Sequence, residues 1–101
     1  MNQQPITVVV AKDLEDLIPT FMTNRNKEIG TLRVALDAGD MEQLRQLGHR
    51  MKGVGNSYGF EQISILGKHV EDYAKIKNLS GLEALIAEYT DYLVRVKIVY
   101  E

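Results

Sequence analysis

Apolar residues recur at intervals of three and four along almost the whole of this chain, a spacing that lines one face of an α-helix and that a strand, with its period of two, cannot use. Leu14, Leu17, Ile18, Phe21 and Met22 open the first such stripe, which continues through Ile29, Leu32 and Leu36. Asp13 is placed to cap it, Pro19 must kink or split it by removing an amide donor, and Gly39 suits its end. Asp40 with Gln43 resembles a capping box for a second helix along Met41, Leu44, Leu47, Met51 and Val54, ending near Asn56-Ser57-Tyr58-Gly59. A third stripe of Ile63, Leu66, Val70 and Tyr73 runs to about Lys77 and stops at Asn78. Ser80 with Glu83 reads as the capping box of a last helix along Leu82, Leu85, Ile86, Tyr89, Leu93 and Val96. That helix could reach Tyr100, about 30 Å at ~1.5 Å per residue.

Ile6 to Val10 is a β-branched run with the composition of a strand, but no later segment reads as its partner, so residues 1–12 are expected to form an extended arm. An edge of this kind could also pair with another copy of the chain. Residues 13–101 then form one domain. Four or five amphipathic helices joined by short turns, with no credible sheet, predict an all-α antiparallel bundle with an additional short N-terminal helix or arm. The stripe residues are its core, and the tyrosines Tyr58, Tyr89, Tyr92 and Tyr100 read as packing or boundary residues.

The chain has 101 residues, 45% hydrophobic and 26% charged, enough for one core and no separate catalytic domain. It has no cysteine, which excludes disulfides, thiol chemistry and Cys-ligated zinc and fits a reducing cytoplasm. No window approaches the ~18 consecutive apolar residues of a membrane span, and Met1-Asn2-Gln3-Gln4-Pro5 lacks the layout of a signal peptide. A formal charge of -2 is the wrong sign for a domain that lives on nucleic-acid phosphates or anionic lipid. The expectations are a cytoplasmic, free-standing monomer that binds neither nucleic acid nor membrane.

The chemically informative residues lie on the second helix. With Leu44, Leu47, Met51 and Val54 facing inward, His49 falls on the more exposed side, with Arg45 at i-4 and Lys52 at i+3 on its face. Gly53 at i+4 adds no side chain, and because a mid-helix glycine costs ~1 kcal/mol relative to alanine, Gly48 and Gly53 ask for a reason such as close approach by another surface. A nucleophile with a free lone pair, room for in-line attack and nearby cations are what phosphoryl transfer requires. A carboxylate behind the ring would hold the Nδ1 proton and leave Nε2 free to attack. If the turn at Ser57 to Gly59 reverses the chain, the residues opposite His49 lie around Lys68 to Glu71, and helical phase does not choose between His69 and Glu71, which flank the buried Val70.

The stretch His49-Arg50-Met51-Lys52-Gly53-Val54-Gly55-Asn56-Ser57-Tyr58-Gly59-Phe60 resembles the signature of histidine phosphotransfer (HPt) domains: His, any residue, an apolar residue, Lys, Gly, and a second Gly six positions later. With the helical series, the resemblance covers about Asp13 to Tyr100 and implies a four-helix bundle. It implies that His49 is phosphorylated, that Lys52 balances phosphoryl charge, that Gly53 gives a partner clearance and that Gly59 marks the central hairpin turn. Many relatives place a Gln opposite the histidine; this chain has Glu71 there, as in the phosphotransfer domains of chemotaxis-type kinases. An acidic partner favours a more basic ring and also the imidazolium form, which cannot attack until it loses a proton, so the two effects oppose each other.

The resemblance further implies a stoichiometric carrier without its own ATP site, not an enzyme. Its phosphoryl group comes from a histidine kinase, a hybrid sensor kinase or a response-regulator receiver domain, and the receiver, not this chain, holds the Mg²⁺. Arg45, Gly48, Met51 and Gly53 are the candidate docking residues around His49. The alternatives are a docking adaptor that binds receivers without phosphotransfer, a regulator that drains a receiver through a short-lived phosphohistidine, and a metal site at His49, His69 and Glu71, against which helical phase sets the two histidines on different faces. His69 itself reads as a surface residue.

Overall fold

A computed structural model describes residues 4–101 and shows four helices with a short strand at each end. Strand β1 is Ile6–Val10, a 3-10 helix follows at Lys12–Leu17, and the helices are α1 (Ile18–Asp37), α2 (Met41–Ser57), α3 (Glu61–Lys75) and α4 (Leu79–Arg95). Strand β2 is Val96–Tyr100. The all-α bundle read from the helical spacing is the architecture found. Its core gathers Leu32 from α1, Leu44 and Met51 from α2, Ile63 and Leu66 from α3, and Leu82, Ile86 and Tyr89 from α4, all fully or almost fully buried. Each such side chain contributes roughly 1.5–3 kcal/mol of burial free energy. Among the described residues, no helix is long and apolar enough to cross a membrane.

The helix boundaries follow local chemistry. Pro19 splits the first stripe: a 3-10 turn ends at Leu17, and Pro19 sits in the first turn of α1, where the missing amide costs no helical hydrogen bond. The expected Asp13 cap is not formed; Ala11 precedes the 3-10 helix and makes no side-chain cap bond. Asp40 caps α2 by accepting from the Gln43 amide at 3.0 Å. For α4 the cap is Asn78, not Ser80: Asn78 Oδ1 accepts from the Gly81 amide at 3.0 Å, and the Ser80 hydroxyl donates to the same oxygen. Gly59, at φ +86°, turns the chain between α2 and α3 in a conformation that a Cβ would strain.

The expected extended arm and the long last helix are both corrected. Ile6–Val10 has a partner: it pairs in parallel with Val96–Tyr100, Ile6 beside Val96 and Val10 beside Tyr100. Helix α4 accordingly stops at Arg95, and Val96 takes extended angles. The inward residues Ile6, Val8 and Val10 and their partners Val96, Ile98 and Tyr100 cover the bundle, while Thr7, Val9, Lys97 and Val99 face out. The Glu101 amide donates to Val10 O at 3.1 Å and the Lys12 amide to Glu101 O at 3.0 Å, closing the ladder. The first three residues of the expected arm lie outside the described residues.

Candidate functional site

The tightest packing in the molecule lies between α2 and α3, and it sets the site. A Cβ on Gly48 would come within 2.5 Å of the Glu71 amide nitrogen and 2.7 Å of Gly67 O; one on Gly67 would come within 2.5 Å of the Lys52 amide nitrogen. At Gly55 it would meet Ser64 at 2.6 Å. Real side chains do not fit such spaces, so glycine on both helices lets the two backbones touch. The Ser64 hydroxyl fastens the seam further, donating to Lys52 O at 2.6 Å and accepting from the Asn56 amide at 2.8 Å.

Across this seam Glu71 on α3 reaches His49 and Lys52 on α2. Glu71 Oε2 lies 3.1 Å from His49 Nδ1, and Lys52 Nζ donates to Glu71 Oε1 at 3.2 Å. The carboxylate is 7% exposed, the lysine 39% and the imidazole 65%. Burial alone pushes the Glu71 pKa up, but the hydrogen bonds from Lys52 and His49 and the charges of Lys52 and Lys75 outweigh it and hold the pKa below the ordinary glutamate value. An ionised carboxylate only accepts, so the proton at this contact sits on His49 Nδ1. In the neutral ring the lone pair is then on Nε2, and the ring is mostly in solvent. Gly53, one turn on, has no neighbour within 4 Å of where a Cβ would stand.

A family model described as Hpt domain matches residues 13–98. The chain belongs to the Hpt domain family. No curated protein and no solved structure matches it. Hpt domains are phosphocarrier modules of phosphorelays, which work with two-component kinases and receiver domains.

Within this Hpt domain the structure brings together His49, Lys52 and Glu71, and it resolves the choice that helical phase left open: Glu71 faces His49, while His69 is exposed. Two candidate docking residues are corrected. Met51 is fully buried in the core and presents nothing to a partner. Gly48 is buried against α3, so the surface that approaches it belongs to this chain. Arg45 is half-buried and pairs with Glu42 at the surface, with Nε 3.0 Å from Oε2. Among the described residues no group of three or more His, Cys, Asp or Glu could hold a metal ion. Gly67 and Ser64 were missed from sequence; the seven-residue interval between Gly48 and Gly55, two turns on one face, was the available signal.

Proposed function

We propose that this Hpt domain carries a phosphoryl group on Nε2 of His49, taking it from a histidine kinase or a receiver aspartate and giving it to a receiver aspartate. The observation that supports this reading is the His49–Glu71–Lys52 contact, which leaves an exposed imidazole with its lone pair outward. With an aspartyl phosphate as donor, Nε2 attacks phosphorus in line, the N–P bond forms, and the P–O bond breaks with its electron pair returning to the aspartate carboxylate. The Nδ1 proton stays beside Glu71, whose negative charge offsets the positive charge the ring gains. Lys52, already at this carboxylate, supplies positive charge on the same face for the phosphoryl oxygens. Transfer onward is the reverse sequence on a second receiver.

In this reading the chain is a phosphoprotein that works as a cytoplasmic monomer, with no ATP site or cofactor of its own, and the Mg²⁺ belongs to the receiver. The partner's active site approaches over Gly53, where no side chain stands in the way. The test is incubation with a panel of phosphorylated receivers, wild type beside His49→Gln. Acid-labile label on the wild type and none on the variant is the expected result. Receivers that bind both proteins equally and label neither would show a docking adaptor instead.

A further inference from the structure

A groove of about 690 Å³ runs beside the free edge of β1, walled by the start of α3 and the end of α4. It lies apart from His49. Val10 O accepts from the amide of Glu101, the residue after β2, and backbone direction alternates along a parallel ladder, so the N–H and C=O groups of Thr7 and Val9 point the other way, towards the groove these residues line. Gly59 stands beside this edge, where a Cβ would lie 3.9 Å from Val9 O. Among the described residues, no backbone hydrogen bond outside the strand pairing reaches Thr7 or Val9.

The edge has no charge, proline or bulge to discourage pairing, and Val9 is 54% exposed. Tyr92, which lines the same groove, is 4% exposed, and its hydroxyl is buried without a hydrogen-bond partner among the described residues. The charged lining is acidic: Glu61, Glu88 and Asp91 against Arg95. Arg95 is committed, with Nη1 2.9 Å from Asp91 Oδ2 and Nε donating to Gln4 O at 2.8 Å, while Glu61 and Glu88 make no ion pair among the described residues.

We propose that this groove receives an extended, lysine- or arginine-bearing segment of a partner polypeptide, which adds a third strand at the free edge of β1. The backbone groups of Thr7 and Val9 pair with the segment, and its basic side chains meet Glu61 and Glu88. Strand addition supplies affinity through the main chain, and charge selects the partner. A second copy fits less well, since two-fold pairing of β1 with β1 would set one acidic groove beside another.

The probe is a capped hexapeptide alternating lysine and valine, titrated into the ¹⁵N-labelled chain. The proposal requires amide shifts at Thr7, Val9 and Gly59, none with the glutamate–valine counterpart, and loss of binding when alternate peptide amides are N-methylated. Glu61→Gln with Glu88→Gln weakens binding by about tenfold. Shifts centred elsewhere, equal binding of the acidic peptide, or full binding of the N-methylated one would overturn it. Concentration-dependent self-association with the same shifts would assign the edge to a second copy.

Discussion

Gly48 and Gly53 flank His49 and answer to different constraints, one inside the protein and one outside it. A methyl at Gly48 collides with the α3 backbone at 2.5 Å, so Gly48→Ala forces α2 and α3 apart and costs roughly 1–3 kcal/mol, read from urea denaturation. Gly53→Ala meets nothing, and the better helix former adds up to ~1 kcal/mol of stability. In the proposed reaction its methyl stands where the receiver must approach, so the same variant transfers phosphoryl more slowly while unfolding later. Glu71 predicts a pH effect. Its folded pKa is depressed, so its contribution is present above the ordinary glutamate value and is lost as pH falls through the lower folded value. Glu71→Gln therefore flattens the acid limb of a stability-against-pH curve, measured by denaturation at successive pH values. At this scale the sequence made His49, Lys52 and Gly53 legible, because a motif of local spacing carries them. It did not make Gly67 or Ser64 legible, because their role exists only once α3 lies against α2.

Among the elements, the two strands teach the most. Leu93, Val96 and Tyr100 are spaced three and four apart, so they continue a helical stripe, yet Val96, Ile98 and Tyr100 also alternate as a strand would. Local pattern fits both, and the decision comes from Ile6–Val10, some ninety residues away, whose β-branched side chains need a partner. Read alone, Ile6–Val10 looked unpaired and Val96–Tyr100 looked helical; together they are a sheet. The ladder register places the Val99 amide opposite Val8 O, so Val99→Pro removes that donor from an exposed outer position. The expected cost is roughly 1–3 kcal/mol with helix content retained, measured by chemical denaturation followed by circular dichroism. The four helices were legible because each carries its own stripe and stop signals; the departures are the 3-10 turn ahead of Pro19 with its unformed Asp13 cap, the Asn78 cap, and the end of α4 at Arg95.

For the whole molecule, α1 and α4 are joined by a buried hydrogen bond from the Tyr89 hydroxyl to Glu28 Oε1 at 2.8 Å, with Arg25 Nε 3.4 Å from the same oxygen. Burial, the Glu28 charge and this hydrogen bond all push the Tyr89 pKa up, and burial pushes Tyr92 up to about 12. A phenol whose folded pKa is raised stabilises the fold fully below its unfolded value near ~10 and loses that contribution as pH rises through the folded value. Cooperative alkaline unfolding is therefore expected as pH climbs from about 10 towards 12. Tyrosinate absorbance and helical circular dichroism should change together, and Tyr92→Phe should shift the midpoint upward. The parallel pairing of β1 with β2 has a mechanical consequence as well. Tension applied through the residues before β1 and after β2 draws the two strands past each other lengthwise. Every rung of the ladder then bears load at once, whereas strands pulled apart sideways would open rung by rung. The sheet is thus a shear clasp, which resists lengthwise tension on the two ends of the bundle.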